Sequence, residues 1–148
     1  MEYEQLKLSN QLCFPIYAAS RLITREYQPL LDKLGITYPQ YLVLMVLWET
    51  DNISVNDITK KLILNTNTVT PLLKRMEVQG LISRKRSEND ERKVLVTLTD
   101  KGKELQKKAA EIPVELLKKL DPEKVDLNEL VSLRDQLNRL INTIISKD

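Results

Sequence analysis

The spacing of apolar positions predicts a long first helix. Apolar residues recur at helical intervals from about Leu6 to Leu34, and Gly35 closes the segment. Pro15 lies inside this segment and has no amide donor, so we expect a bend or a broken first turn near Cys13.

The next segment predicts a buried second helix. The run Tyr41 to Trp48 is apolar on all sides, a pattern that also suits a buried strand. Thr37 and Gln40 form a possible capping box, and Pro39 falls in the first turn. These start signals favour a helix that ends near Thr50.

The middle of the chain predicts a helix-turn-helix. Ser54 can cap a short third helix, and a turn at about residues 63–65 follows. A fourth helix, ending near Gln79, carries the clearest periodicity, and Gly80 suits the left-handed conformation after its last turn. Its apolar residues at i, i+3, i+4 and i+7 are Val69, Leu72, Leu73 and Met76. Two short helices joined by a tight turn, after a buried helix, are typical of this motif.

A β-hairpin and further helices complete the predicted fold. Residues 82–86 and 93–98 are strand-like and flank a charged turn, which indicates a wing. Thr99 and Asp100 can cap a fifth helix, and Pro113 and Pro122 divide the remainder into a bent helix and a last amphipathic helix. We therefore expect one domain over residues 1–148 that is mainly α with a small β-hairpin. It comprises a winged helix-turn-helix over about 37–98, with N- and C-terminal dimerisation helices over about 6–34 and 100–147.

Charge and composition narrow the class of protein. The formal charge is only +2, but the stretch from Ile53 to Lys93 holds nine Lys or Arg and five Asp or Glu, which suits a DNA-facing module. The first residues lack a signal-peptide pattern and no apolar run approaches ~18 residues, so we expect a cytoplasmic protein without a membrane partner. With no histidine and one cysteine, the chain is expected to hold no metal, cofactor or internal disulfide.

One face of the fourth helix has the order of side chains that a recognition helix needs. Small polar groups come first and cations follow, matching base edges at the helix N-terminus and phosphates beyond it. An ordinary solvated helix face is the alternative interpretation. The residues concerned are Asn65, Asn67, Thr68, Thr70, Pro71, Lys74 and Arg75.

The wing adds a more specific signal. The segments NTNTVTPLLKRMEVQGLISRKR and NDERKVLVTLTDKGKEL resemble the MarR family, whose wing has an Asp-x-Arg motif, a strand and a Leu-Thr-x-x-Gly helix start. The resemblance implies a repressor in which Arg92 enters the DNA minor groove and Asp90 orients its guanidinium. Arg84 and Arg86, on the first wing strand, are also expected at the DNA. A weak surface ion pair is the alternative for Asp90 and Arg92.

Cys13 carries the question of regulation. Taken alone, it is most simply a small core residue. Tyr17 lies one turn away, Tyr27 fourteen residues on, and Tyr38 at the start of the second helix. Along a straight helix Tyr27 is about 21 Å from Cys13, so only another chain can bring the two together.

This set of one cysteine and three tyrosines resembles the one-cysteine, hydroperoxide-sensing branch of the MarR family. The resemblance implies a homodimer in which tyrosine hydroxyls, the second and third from the partner chain, donate to the sulfur and stabilise its thiolate. It also implies that a low-molecular-weight thiol caps the sulfenic acid as a mixed disulfide on Cys13. The modules then shift and release a pseudo-palindromic double-stranded operator.

Two other functions remain open. A MarR-type regulator could bind a small phenolic ligand, with Cys13 only filling space; aromatic carboxylates would then displace DNA and peroxide would not. A one-cysteine thiol peroxidase would turn over peroxide with a thiol reductant, but no Arg or Thr motif surrounds the thiol. We therefore expect a regulator rather than an enzyme, with no catalytic residues.

Overall fold

Helices and one small antiparallel sheet build the chain. The structure is a computed structural model that describes residues 3–121 and 123–147. The chain divides into two units, of which the first ends at Ile112 and the second begins at Pro113. Pro122, expected to separate the C-terminal helices, lies outside the described residues.

The first helix, α1, is shorter than expected and runs over Cys13–Asp32. The segment before it forms two short 3₁₀ turns, Glu4–Leu6 and Leu8–Asn10. Pro15 is the third residue of α1, in the first turn, where a backbone amide has no intrahelical partner. The proline is therefore accommodated at the start of the helix and does not bend it. Pro29, which the sequence analysis did not consider, lies inside α1 near its C-terminal end.

Helix α2 (Tyr38–Glu49) confirms the expected capping box. Thr37 Oγ1 accepts from the Gln40 amide at 3.4 Å, and Gln40 Oε1 accepts from the Thr37 amide at 2.9 Å. The apolar run is therefore a helix and not a strand. Its most deeply buried side chains are Val43, Leu44 and Leu47.

A second capping box starts α3 (Val55–Leu62). Ser54 Oγ accepts from the Asp57 amide at 3.1 Å, and Asp57 Oδ2 accepts from the Ser54 amide at 3.2 Å. The Ser54 hydroxyl also donates to Asp57 Oδ2 at 2.6 Å, and this bond, followed by the one from the Ser54 amide, lowers the pKa of the Asp57 carboxyl. The helix ends at Ile63, whose φ of 54° turns the chain towards the next helix.

Helix α4 (Thr66–Val78) follows as predicted, with its apolar stripe facing the core. The Asn65 side chain caps it by accepting from the Thr68 amide at 2.9 Å. Gly80 adopts the expected left-handed conformation, with φ of 73°. The buried residues of α4 are Val69, Leu72, Leu73 and Met76.

The wing consists of β2 (Ile82–Arg86) and β3 (Val94–Leu98) in the register Ile82 opposite Leu98 and Arg84 opposite Val96. A further strand, β1 (Ile53–Ser54), pairs with β3, so the sheet order is β1-β3-β2. The sequence does not predict β1 because two residues cannot display an alternating pattern. In this order β2 is an edge strand.

Three C-terminal helices replace the bent helix and last helix that were expected. Thr99 caps α5 (Asp100–Ala109), α6 covers Ile112–Lys119, and Asp126 caps α7 (Leu127–Ile145). Within α7 no described side chain is buried, although its apolar residues have the predicted spacing. Among residues 3–121 and 123–147, no helix combines the length and apolar character that crossing a membrane requires.

Candidate nucleic-acid interface and thiol site

The N-terminal face of α4 presents small polar side chains to solvent. Asn65, Asn67 and Thr68 are exposed, and Thr70 is half-buried. Asn65 Oδ1 also accepts from the Thr68 hydroxyl at 3.0 Å, so the Asn65 and Thr68 side chains are hydrogen-bonded to each other. Pro71 cannot supply the amide that the Asn67 carbonyl would accept in a regular helix. The groups best placed to meet a base edge are therefore those of Asn67 and the Asn65 amide nitrogen.

The predicted DNA-contacting cations fall into two kinds. Lys74, Arg75 and Arg86 are exposed and form no ion pair with any residue that the structure describes. Arg84, in contrast, binds Glu77 of α4: its Nη2 and Nε donate to Glu77 Oε2 at 2.8 and 3.1 Å. Hydrogen bonding from Arg84 lowers the pKa of the Glu77 carboxyl.

The wing tip is organised around Asp90. Its Oδ1 accepts from the Arg92 amide at 3.1 Å and from Arg92 Nε at 3.2 Å. The Asp90 side chain is 30% exposed, whereas the Arg92 side chain is 92% exposed. Asp90 thus holds the backbone amide and Nε of Arg92, while the rest of the Arg92 side chain extends into solvent. This arrangement suits insertion of Arg92 into a narrow DNA groove.

Cys13 lies at the N-terminal end of α1 and is exposed, so it does not fill the core of its own chain. Tyr17, one turn further on, is 60% exposed. The guanidinium of Arg21 lies 5.0 Å from the centre of the Tyr17 ring. This end of α1 therefore carries a thiol, a phenol and a cation at the surface of the chain.

The other predicted tyrosines meet at the opposite end of α1. The rings of Tyr27 and Tyr38 are 5.0 Å apart, and Tyr41 lies 6.0 Å from Tyr27. Burial, with smaller contributions from Tyr38 and Tyr41, raises the pKa of Tyr27 to about 12, so its hydroxyl keeps its proton near neutral pH. The structure thus brings Tyr27 and Tyr38 together but not with Cys13 of the same chain, because fourteen helical residues span about 21 Å.

Three residues of these sites are not predicted by the sequence pattern. Tyr41 and Trp48, whose rings are 6.3 Å apart, extend the tyrosine cluster along α2; their spacing from Tyr38 was visible but was assigned to the core. No local sequence pattern marks Glu77, because its partner Arg84 lies beyond the turn that joins α4 to β2. Among the described residues, no group of three or more His, Cys, Asp or Glu side chains could hold a metal ion.

Comparison with known proteins identifies the family to which the chain belongs. A family model described as transcriptional regulator SarA/Rot matches residues 25–109. The organic hydroperoxide resistance transcriptional regulator of Bacillus subtilis (strain 168) is 49% identical over 147 residues, covering 99% of this chain and 98% of that protein.

Solved structures of AbfR, a Staphylococcus epidermidis protein, are also similar. Reduced AbfR bound to DNA has a TM-score of 0.82 and 39% identity, over 98% of this chain and 99% of that one. Disulfide-formed AbfR has a TM-score of 0.67 and 38% identity, over 99% and 97%. The chain belongs to the SarA/Rot family of transcriptional regulators and has the winged-helix fold of the MarR type that its sequence predicts.

Proposed function

We propose that this chain is a homodimeric DNA-binding repressor that releases a pseudo-palindromic double-stranded operator when an organic hydroperoxide or related oxidant oxidises Cys13. The observation that carries the proposal is the division of the sensor residues within one chain. Cys13 and Tyr17 lie at one end of α1, while Tyr27 and Tyr38 are in contact at the other. A second copy running antiparallel along α1 brings the two halves together.

The module over about residues 37–98 supplies the DNA contacts. The exposed polar groups at the start of α4 suit base edges in the major groove. The exposed cations Lys74, Arg75 and Arg86 suit phosphates, and Arg92 suits the minor groove. Support for a DNA partner also comes from AbfR, whose structure on DNA this chain resembles.

Exposed apolar side chains on two helices support the homodimer. Within α1 the buried residues are Leu30 and Leu31, while Phe14, Leu22 and Ile23 are more than 40% exposed. Exposed large apolar rows are typical of surfaces that a partner covers. In α7 the corresponding exposed side chains are Leu127, Val131, Leu133, Leu140, Ile141, Ile144 and Ile145.

The oxidation proceeds in two balanced steps. The Cys13 thiolate attacks the terminal oxygen of the hydroperoxide, so that an S–O bond forms and the O–O bond breaks. The departing alkoxide takes a proton from solvent and becomes an alcohol, leaving a sulfenic acid on Cys13. A low-molecular-weight thiol then attacks the sulfenic sulfur, forming a mixed disulfide and releasing water. The added volume and the lost tyrosine hydrogen bonds displace one chain against the other, which changes the spacing of the two modules.

A titration of the operator with and without cumene hydroperoxide tests the proposal. Wild-type protein should bind when reduced and lose affinity on oxidation, while Cys13→Ser should bind equally well and ignore peroxide. A Cys13→Ser protein that peroxide still releases would rule out the sensor. Recovery of binding on addition of a thiol reductant would distinguish a sulfenic acid or a mixed disulfide from irreversible oxidation to a sulfinic or sulfonic acid.

Replacement of the tyrosines tests their role at the sulfur. Tyr27→Phe with Tyr38→Phe should leave operator binding by the reduced protein intact but slow alkylation of Cys13 near neutral pH by about tenfold, because the thiolate loses its donors. Tyr41→Phe is the matched control, since Tyr41 belongs to the same ring cluster but is only 4% exposed and lies in the core of its own chain. An unchanged alkylation rate in the double variant would contradict the tyrosine mechanism.

One cavity favours the second candidate function, a regulator controlled by a small phenolic ligand. It measures about 610 Å³ and lies between the end of α1, the start of α2 and α4. Ile36 and Val78 provide apolar walls, and Lys74 and Arg75 provide cations for an acidic group. Three results would select this function: an aromatic carboxylate releases the DNA, peroxide does not, and Cys13→Ser leaves the release by the carboxylate unchanged.

A further inference from the structure

The contact between Arg84 and Glu77 gives the wing a fixed attachment to α4. Three hydrogen bonds join the two residues: Arg84 Nε and Nη2 donate to Glu77 Oε2, and the Arg84 amide donates to Glu77 Oε1 at 3.0 Å. Both carboxylate oxygens are therefore engaged by one residue of the wing. Charge-assisted, two-point contacts of this kind fix orientation as well as distance.

The position of Arg84 explains why it pairs inward. β2 is an edge strand, and the amide that Arg84 gives to Glu77 is one that β3 does not use. Arg84 lies two residues after the buried Ile82, on the same face of the strand, opposite the fully buried Val96. Its side chain is 21% exposed, whereas Arg86 at the end of the strand is exposed.

We propose that Arg84 is a positioning residue rather than a DNA contact, and that with Glu77 it sets the angle between the wing and the recognition helix. This replaces the expectation that Arg84 touches DNA, and it rests on the proposed DNA-binding function. From Arg84 to the turn at Ser87 the strand extends about 10 Å, so a rotation of about 10° moves the tip by about 2 Å. A displacement of that size takes Arg92 out of hydrogen-bonding range.

The affinity for the operator and its salt dependence distinguish an effect of net charge from an effect of wing position. Glu77→Ala removes an anion from a DNA-binding face, so electrostatics alone predicts tighter binding; loss of the attachment predicts binding about tenfold weaker. Arg84→Ala should weaken binding by a similar factor. The double variant should be no weaker than either single variant, because the two residues act as one unit.

The slope of log affinity against log salt should be read from the double variant, which keeps the net charge of the protein. Because displacement of the wing also withdraws Arg92 from the groove, the comparison is made in an Arg92→Ala background. There the double variant should leave the slope unchanged, whereas Arg86→Ala, the matched control on the same strand, should reduce its magnitude by about 0.9 per half-site. Hydroxyl-radical protection by the wing in the minor groove should fade in the double variant, while contacts of α4 in the major groove persist. Glu77→Gln, which retains an acceptor for the Arg84 amide, should give an intermediate loss.

Two results would overturn the proposal. One is Glu77→Ala binding at least as tightly as wild type; the other is a double variant that, in the Arg92→Ala background, lowers the slope as far as Arg86→Ala does. Hydrogen exchange of the Arg84 amide in the free protein gives a test that does not involve DNA. That amide should be protected in the wild type and should exchange faster in Glu77→Ala. Faster exchange combined with no operator binding by the wild type would refute the proposed function and leave the attachment itself established.

Discussion

The two charged side chains at the wing tip, Asp90 and Arg92, differ in their exposure to solvent. Arg92 is almost fully exposed, while Asp90 is mostly covered and holds both the amide and the Nε of Arg92. Arg92→Ala should weaken operator binding by about tenfold because it removes the groove contact, and Asp90→Ala should weaken it less because it removes only the orientation. Fluorescence anisotropy with labelled operator measures both. Wild-type affinity in Arg92→Ala would mean that Asp90 and Arg92 form only an exposed ion pair with no role at the DNA.

Tyr27 should make the stability of the fold sensitive to alkaline pH. Its pKa is raised from 10.0 to about 12, chiefly by burial, so folding favours the protonated phenol. This contribution to the free energy of unfolding is complete below pH 10 and is lost as pH rises from 10 through about 12. Urea denaturation at several pH values should show a smaller alkaline decline in Tyr27→Phe than in the wild type. Equal declines would mean that Tyr27 does not carry this dependence.

At the scale of elements, α5 packs against the turn between α4 and β2 through a glycine. A Cβ on Gly102 would lie 2.2 Å from the Leu81 carbonyl oxygen, a distance that requires the backbone to move. The Gly102 carbonyl also accepts from Trp48 Nε1 at 2.9 Å, which joins α5 to α2. This glycine is therefore needed for close approach, and not for its backbone conformation.

Gly102→Ala should lower the free energy of unfolding by about 3 kcal/mol or more, because an overpacked backbone contact cannot relax through a side chain. Gly35→Ala is the control: its φ is 69° and a Cβ would meet nothing within 4 Å, so it should cost about 1 kcal/mol of backbone strain. Thermal or chemical denaturation compares the two variants. Similar losses would show that the approach of α5 is not the constraint.

At the scale of the whole molecule, the exposed apolar face of α7 predicts association. Leu133 is 51% exposed, and Leu133→Asp should shift the proposed homodimer towards monomer and greatly weaken binding to a two-half-site operator, because each module then binds alone. Asn138→Asp adds the same charge to an exposed polar position of the same helix and should leave the dimer intact. Sedimentation equilibrium measures the shift. A dimer that survives Leu133→Asp would place the interface elsewhere.

The sequence by itself determined the elements whose signals are local. The capping box at Thr37, the helix cap at Ser54, the stripe from Val69 to Met76 and the left-handed Gly80 each depend on residues within one or two turns, and all appear as predicted. The predicted start of α1 was too early, because the helical spacing of apolar residues continues through residues 6–12, where the chain forms 3₁₀ turns and not an α-helix. Periodicity indicates which side of an element is apolar, and not where backbone hydrogen bonding begins.

Only the tertiary structure decided which distant residues meet. It placed Glu77 against Arg84, grouped Tyr27 with Tyr38 and Tyr41, and paired the two-residue strand β1 with β3. Each contact depends on how turns and packed faces orient one element against another, and a pattern that repeats every two or four residues carries no such information. The residue types therefore suggested a DNA-binding face that included Arg84, whereas packing against α4 directs that guanidinium to Glu77.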